Sequence, residues 1–352
     1  MHDYNFITER SETGLSMIVK NSLSKYFSKS KIYLNKIVNS SQKTPLVVVA
    51  SNEEKYASVN LPYATSADLS EVFELMRSLN YQGITNPDVG CHGGGDENFA
   101  AVLNKACNIL AERYQGQEIR YIELGPEPIK TELMVSGLLA RGVALKTYMS
   151  VDINPESAAP MRQVIKRVRS SINIDHILCN FDELTRDKLV GDQPAIFTSL
   201  GFQEGNHLPN NVRAMLTKIL DKNDTYMCEM QVRNEINEAA LLNFYELPQM
   251  RAFSKNCVRR AFGNIESTYG IQLLDAPEIG KGIKVATTTE TFHDDHGQKI
   301  HYVTNYCLKP TVKQLKGLRE ETGDVKVFET LLTSDKSMLL QLSEKKTPQA
   351  IC

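Results

Sequence analysis

The sequence predicts an α/β fold built on a doubly wound, mostly parallel sheet, and three observations carry that prediction. Between residues 119 and 230, five short apolar runs alternate with helical stretches, the pattern of a parallel sheet with crossover helices. The first three runs end in Glu123-Leu-Gly125, Asp152 and Asn180-Phe181, polar and aromatic groups at the strand ends where open α/β sheets bind ligands. Near the end of the chain, residues 325–332 and 337–342 read as a closing antiparallel pair.

The elements follow in order. Residues 16–37 place Ile18, Leu23, Tyr26, Phe27 and Ile37 at helical spacing, and 46–50 is a short apolar strand or buried segment. Ser66 is a helix N-cap, followed by apolar residues at helical spacing to Met76. A loop at Cys91-His92 with three glycines precedes a helix over 97–114. The alternation then runs strand 119–124, helix 129–139, strand 144–151, helix 155–170, strand 172–178, strand 194–199, a helix from about 210, and strand 225–230. Residues 235–262 read as two helices broken at Pro248. Residues 283–292 and 299–308 form a hairpin around Asp294-Asp-His-Gly297, and 310–321 is a helix. The implied organisation is an N-terminal helical region (1–116), a cofactor domain (117–232), an inserted substrate-covering segment (233–308), a return to the sheet (309–343) and a tail (344–352). The helices and hairpin together would form a second domain over the strand ends.

Composition narrows the function. The chain has 352 residues, 41% hydrophobic, with 40 basic against 42 acidic residues and a formal charge of −2. That length supports one large core and a smaller second one. The basic excess of a duplex-binding protein is absent, so no nucleic-acid partner is expected. No apolar run approaches the length of a membrane-spanning helix, and no membrane partner is expected. The seven cysteines include no CxxC, and the N-terminus has no basic-then-apolar signal pattern. Reduced thiols in the cytoplasm fit this best. The sequence says nothing of oligomeric state.

The richest stretch is Tyr121-Ile-Glu-Leu-Gly-Pro-Glu-Pro-Ile-Lys-Thr131. Gly125 lets the backbone approach a ligand without a Cβ clash. Asp152 at the next strand end can take both hydroxyls of a ribose. The Asn180 amide can bond an adenine edge while Phe181 stacks on the ring. A dinucleotide pyrophosphate needs a GxGxxG turn and an uncrowded helix N-terminus. The later glycines are missing, and Glu127 would repel phosphate. S-adenosylmethionine, a sulfonium without phosphate, suits the loop. The blander reading is an ordinary turn with a capping Glu.

Four segments in order, Glu123–Thr131, Val151–Asn154, Cys179–Glu183 and Leu200–Pro209, resemble the histidine-specific, S-adenosylmethionine-dependent methyltransferases of ergothioneine biosynthesis. The resemblance spans about residues 118–343 and implies a Rossmann-like class I methyltransferase domain. It places Glu123, Gly125, Pro126 and Lys130 in the first cofactor loop and Asp152 with Ile153 at the ribose. Asn180 and Phe181 would meet the adenine, with Asn180 in place of the family's usual Asp. Ser199 and Gly201 would lie beneath the cofactor. Asn206 and Tyr245 would bind the acceptor, with Tyr245 also assisting proton transfer. In the last hairpin strand, Val303 and Asn305 stand where the family presents Glu and Ser to the imidazole. Val303 offers only methyl groups, so histidine is not the expected acceptor.

The expected activity is therefore methyl transfer to a small molecule, N-methylation of an amino acid or amino-acid-derived metabolite. O- or C-methylation in specialised metabolism, or a non-catalytic nucleotide-fold subunit, stand as alternatives. Nitrogen is preferred because a hydroxyl acceptor needs a general base, and Tyr245 and His207 are the sole and weak candidates. No metal is expected. His293-Asp-Asp-His296 with His301 reads as a solvated hairpin turn rather than a metal site, and Lys166, Arg167 and Arg169 as the wet face of a helix.

Overall fold

The structure is a computed structural model. It describes residues 45–57, 61–90, 95–234 and 238–346, together with Val19 and Leu23. Apart from those two residues, the helix expected at 16–37 lies outside the described residues, as do Cys91 and His92.

Seven strands form the larger sheet: β2 (Glu118–Leu124), β3 (Ala144–Asp152), β4 (Asn173–Leu178), β5 (Ala195–Ser199), β6 (Thr225–Gln231), β10 (Val325–Leu332) and β11 (Met338–Lys345). Their order is β10-β11-β6-β5-β2-β3-β4. The five strands β2 to β6 are parallel, and β11 runs antiparallel between β6 and β10. Strand β11 extends through Lys345, beyond the expected start of the tail. The order reverses between β2 and β5, the point where open α/β sheets bind ligands.

The strands are apolar because helices cover both faces. Successive side chains point to opposite faces, so Tyr121 packs with Val102, Met134 and Met161 on one side. Its neighbour Ile122 packs with Val212, Leu216 and Leu315 on the other. The first face is covered by α3 (Phe99–Arg113), α4 (Pro128–Ala140) and α5 (Ala158–Val168), the second by α6 (Pro209–Ile219) and α9 (Val312–Glu320).

A second sheet has the order β1-β9-β8-β7, from Leu46–Val49, Lys299–Lys309, Lys284–His293 and Thr268–Asp275. The short apolar run at 46–50 is thus an edge strand, parallel to β9. Further helices are α1 (Asn52–Tyr56), α2 (Ser66–Thr85), α7 (Glu238–Glu246) and α8 (Pro248–Phe262). Leu247 separates the last two, just before the proline that cannot continue a helix. Ser254 of α8 bonds Thr304 of β9 at 2.7 Å, which seats α8 on this sheet. Helix α2 reaches the other sheet, where the Asn154 amide donates to the Leu69 carbonyl at 3.1 Å.

Strand β9 carries a bulge. Asn305 opposes Thr288 and Val303 opposes Thr289, so that Thr304 has no residue opposite it in the ladder. An extra residue reverses the alternation beyond it. Val303 therefore packs with Val19, Leu23 and Leu308, whereas Asn305 faces Tyr245, Phe253 and Cys307.

Candidate functional site

The loops after β2, β3 and β4 open onto a cleft walled by Pro126, Asp152, Ile153, Asn180 and Phe181. Its opposite wall is Val72, Phe73 and Met76 of α2, with Asn52 and Tyr56 of α1. The third side is Gln203, Asn206 and His207, from the turn after β5. The cleft encloses about 630 Å³ with its mouth. A second cavity, about 520 Å³ when its mouth is included, adjoins it, with Tyr56, Met76 and Asn206 belonging to both. Its further walls are Lys130, Gly201, Phe202, Phe244, Tyr245, Phe253, Asn305 and Cys307.

Local geometry explains the first wall. Gly125 has φ +67°, the left-handed region, and a Cβ there would collide with the Gln203 amide. Glu127 is the N-cap of α4 and accepts from Ile129 N and Lys130 N, both at 2.9 Å. The capping reading of Glu127 is what the structure shows, and its carboxylate occupies the helix N-terminus that a pyrophosphate would need.

Asp152 ends β3 and accepts from Asn154 N at 3.0 Å. Desolvation pushes its carboxyl up to about 6. The Phe181 ring lies 5.6 Å from that of His207. Burial drives the His207 imidazole down to about 4, so it is neutral at pH 7. The turn that delivers His207 is strained: Gly201 has φ +74° and Phe202 φ +58°, an uncommon backbone for a residue with a side chain. This turn brings Gln203 and Asn206 back over the strand ends.

The expected site residues divide by place. Pro126, Asp152, Ile153, Asn180 and Phe181 line the first cleft. Lys130, Gly201, Asn206, Tyr245 and Asn305 line the second, Asn206 at the junction. Ser199 lies in a small pocket beside Phe181 and His207. Glu123 lines neither cleft. It is fully buried, accepting from Thr131 Oγ1 at 2.5 Å and the Tyr148 hydroxyl at 2.9 Å. Val303, expected at the acceptor, is turned away by the bulge at Thr304. Its methyl groups therefore do not face the acceptor cavity and give no ground against histidine.

Lys130 differs from expectation in its partner. Its ammonium gives bonds of 2.7 and 2.6 Å to the two oxygens of Glu229, both side chains being buried. Glu229 also accepts from Gly201 N at 2.7 Å. Sequence reasoning missed Glu229, and also Asn52, Tyr56 and Gln203. A carboxylate inside the apolar strand Thr225–Gln231 was the available signal for the first. The turn at 294–297 is held by Asp294 Oδ1, which accepts from His296 N and Gln298 N. Among the described residues, no group of three His, Cys, Asp or Glu is arranged to hold a metal.

The donor set fits S-adenosylmethionine. A carboxylate ends β3, an amide and an aromatic face follow β4, and the ammonium at the helix N-terminus is neutralised by Glu229. Asn52 Oδ1 and Asn206 Oδ1 are buried without hydrogen-bond partners among the described residues, which leaves acceptors for a ligand to satisfy.

No family model matches the chain, and no curated protein does. Solved structures do. An S-adenosylmethionine-dependent methyltransferase from Clostridium acetobutylicum is 7% identical over 72% of this chain and 94% of its own, with a TM-score of 0.43. One from Leishmania major is 11% identical over 78% and 81%, at 0.40. The CMeT domain of the citrinin polyketide synthase is 13% identical over 80% and 58%, at 0.43. The narrower resemblance to histidine-specific enzymes finds no support among these three. Independently of them, the strand order and the single antiparallel strand inside the sheet define a Rossmann-like fold of the class I methyltransferase type. Among the described residues no helix is long and apolar enough to cross a membrane.

Proposed function

We propose that this protein is an S-adenosylmethionine-dependent methyltransferase acting on a small molecule. The observation that carries the reading is the pair of adjoining cavities. One is lined by Asp152, Asn180 and Phe181, the other by Tyr245 and Asn305, and Asn206 stands in the wall of both.

Bound S-adenosylmethionine supplies an electrophilic methyl on a sulfonium whose leaving group is neutral. The chain's own work is then alignment and exclusion of water. Asp152 would hold the ribose hydroxyls, and Asn180 with Phe181 the adenine. Asn206 and Asn305 would orient the acceptor in the second cavity. Tyr245 cannot act as a base near neutral pH, because burial raises its hydroxyl well above the ordinary value. His207 is neutral but lines the first cleft alone of the two. The described lining residues of the second cavity include no His, Asp or Glu, which favours a nitrogen acceptor that is already unprotonated. N-methylation of an amino-acid-derived metabolite is the reading this supports, ahead of O- or C-methylation.

Calorimetric titration with S-adenosylmethionine and with NAD tests the cofactor. Binding of the first alone is expected, and binding of NAD alone would assign a dinucleotide enzyme. Binding of neither would make the protein a non-catalytic scaffold. Mass detection of a 14-dalton gain in a pool of small amines then tests the transfer.

A further inference from the structure

The second cavity differs from a site built for a free amino acid. Its walls are rich in aromatic and thioether side chains: Tyr56, Phe202, Phe244, Phe253, Met76 and Met250. Phe202 and Phe244 meet edge to face at 5.2 Å, and Phe244 meets Tyr245 in the same way at 5.4 Å. Its uncharged polar wall groups include three amides, from Asn80, Asn206 and Asn305. Asn206 Oδ1 and Asn305 Oδ1 are both buried and without hydrogen-bond partners among the described residues.

The charge count is equally specific. Among the described lining residues Lys130 carries a charge, and Glu229 takes its ammonium at both oxygens. Two further buried lysines stand behind the walls. Lys309 Nζ donates to Gln231 at 2.8 Å and lies 5.2 Å from the Tyr245 ring centroid. Lys55 Nζ lies 4.6 Å from that of Tyr306. Neither belongs to the lining. Among the described lining residues, a zwitterionic head group would find no free cation for its carboxylate and no carboxylate for its ammonium. Burying either charge unpaired is strongly unfavourable.

We propose that the second cavity takes an uncharged, flat aromatic acceptor that donates hydrogen bonds to Asn206 and Asn305 and carries no amino-acid head group. This deepens the methyltransferase reading by naming the acceptor's class, and it rests on that reading for the word acceptor alone. A hydrophobic pocket with a few placed polar groups orients such a ring. Two unsatisfied amide oxygens reject the analogue that lacks its donors, because they would stay unpaired. A neutral aromatic amine meets every requirement. In the transfer, the nitrogen lone pair forms the new N–C bond as the S–C bond breaks onto sulfur. The acidic arylammonium then loses its proton to water.

The test is direct binding of fluorescent probes to the whole protein, with and without S-adenosylhomocysteine. 6-Aminoquinoline carries two N–H donors, and its N,N-dimethyl derivative has the same ring with none. The amine is expected to bind at least tenfold tighter than the dimethyl compound. Asn305→Leu should reduce that ratio below threefold while leaving the dimethyl affinity within about twofold, which separates a lost hydrogen bond from a lost fold. Histidine and phenylalanine, titrated by calorimetry, should bind at least tenfold more weakly than the amine. Tighter binding of either amino acid, or equal binding of the two quinolines, would overturn the proposal. Titration with S-adenosylmethionine is scored separately. Its success beside a preference for amino acids would sink this inference alone, and its failure beside binding of the amine would sink the cofactor reading alone.

Discussion

Lys130 and Glu229 form a closed ion pair between the first helix after β2 and the strand β6, with side chains 1% and 0% exposed. The pair lies beneath the turn after β5, because Glu229 also accepts from Gly201 N. Breaking one half of a buried pair leaves the other charge unpaired, at about 3–5 kcal/mol. Glu229→Gln and Lys130→Met should each destabilise by that amount in urea unfolding. The double variant Lys130→Met with Glu229→Leu should recover at least half, since replacing both charges by apolar groups is often neutral. Additive losses in the double variant would show that the two residues are not a pair.

Asp152 gives the test of the first cleft. Asp152→Asn should weaken S-adenosylmethionine binding by about 1.5–3 kcal/mol, the range for losing a charge-assisted hydrogen bond. Stability should change less, because the carboxylate is at a strand end. Desolvation holds the Asp152 carboxyl up at about 6, so wild-type affinity should decline as pH falls through 6. The Asn variant should show no such decline. An unchanged dissociation constant would refute the ribose role.

The parallel sheet was legible because its strands are buried on both faces and read as apolar runs, as in Ala195–Ser199. Asp152 and Phe181 were legible because the switch point of such a sheet is set by chain order. Strand β7 (Thr268–Asp275) was missed, since it contains Gly270 and its exposure does not alternate. The parallel pairing of 46–49 with β9 was invisible, being a contact across some 250 residues of chain. The Thr304 bulge was invisible for a different reason. Residues two apart in a strand share a face unless an extra residue intervenes, and nothing in Tyr302-Val-Thr-Asn-Tyr306 announces one. The walls from Asn52, Tyr56 and α2 come from a region that resembled nothing, so only the fold brings them to the cleft.

Glu123 is expected to shape acid stability rather than binding. It is fully buried, with Oε1 unpartnered among the described residues. Burial outweighs the Thr131 and Tyr148 hydrogen bonds and raises its carboxyl to about 8. The folded state therefore holds a proton that the unfolded chain releases near 4.5. Its contribution is fully present below 4.5 and is lost as pH rises toward 8, about 3–5 kcal/mol across the window. Glu123→Gln should flatten that part of the pH–stability curve and stabilise the protein at pH 8. An unaltered slope between pH 5 and 8 would mean that Glu123 is ionised in the fold.

Lys55 should respond in the opposite direction. Its side chain is fully buried, and Nζ has no hydrogen-bond partner among the described residues. Its ammonium faces the rings of Tyr306 and Tyr56, at 4.6 and 5.4 Å from their centroids. Those cation–π contacts offset part of the lost hydration, yet desolvation still lowers the group from 10.5 to about 8. Between those values the unfolded chain binds more protons than the folded one. The penalty is therefore complete below pH 8, and stability rises as pH climbs from 8 to 10.5, by about 3 kcal/mol from this residue. Lys55→Met keeps the apolar stem and removes the charge. The Lys55 carbonyl, which accepts from Arg260 at 2.6 Å, belongs to the main chain and is retained. The variant should gain about 1–3 kcal/mol at pH 7 and lose the rise above pH 8, both read from urea unfolding at pH 7, 8, 9 and 10. A variant less stable at pH 7 that keeps the alkaline rise would show that the ammonium is stabilised in the fold and that the pH dependence belongs to another group.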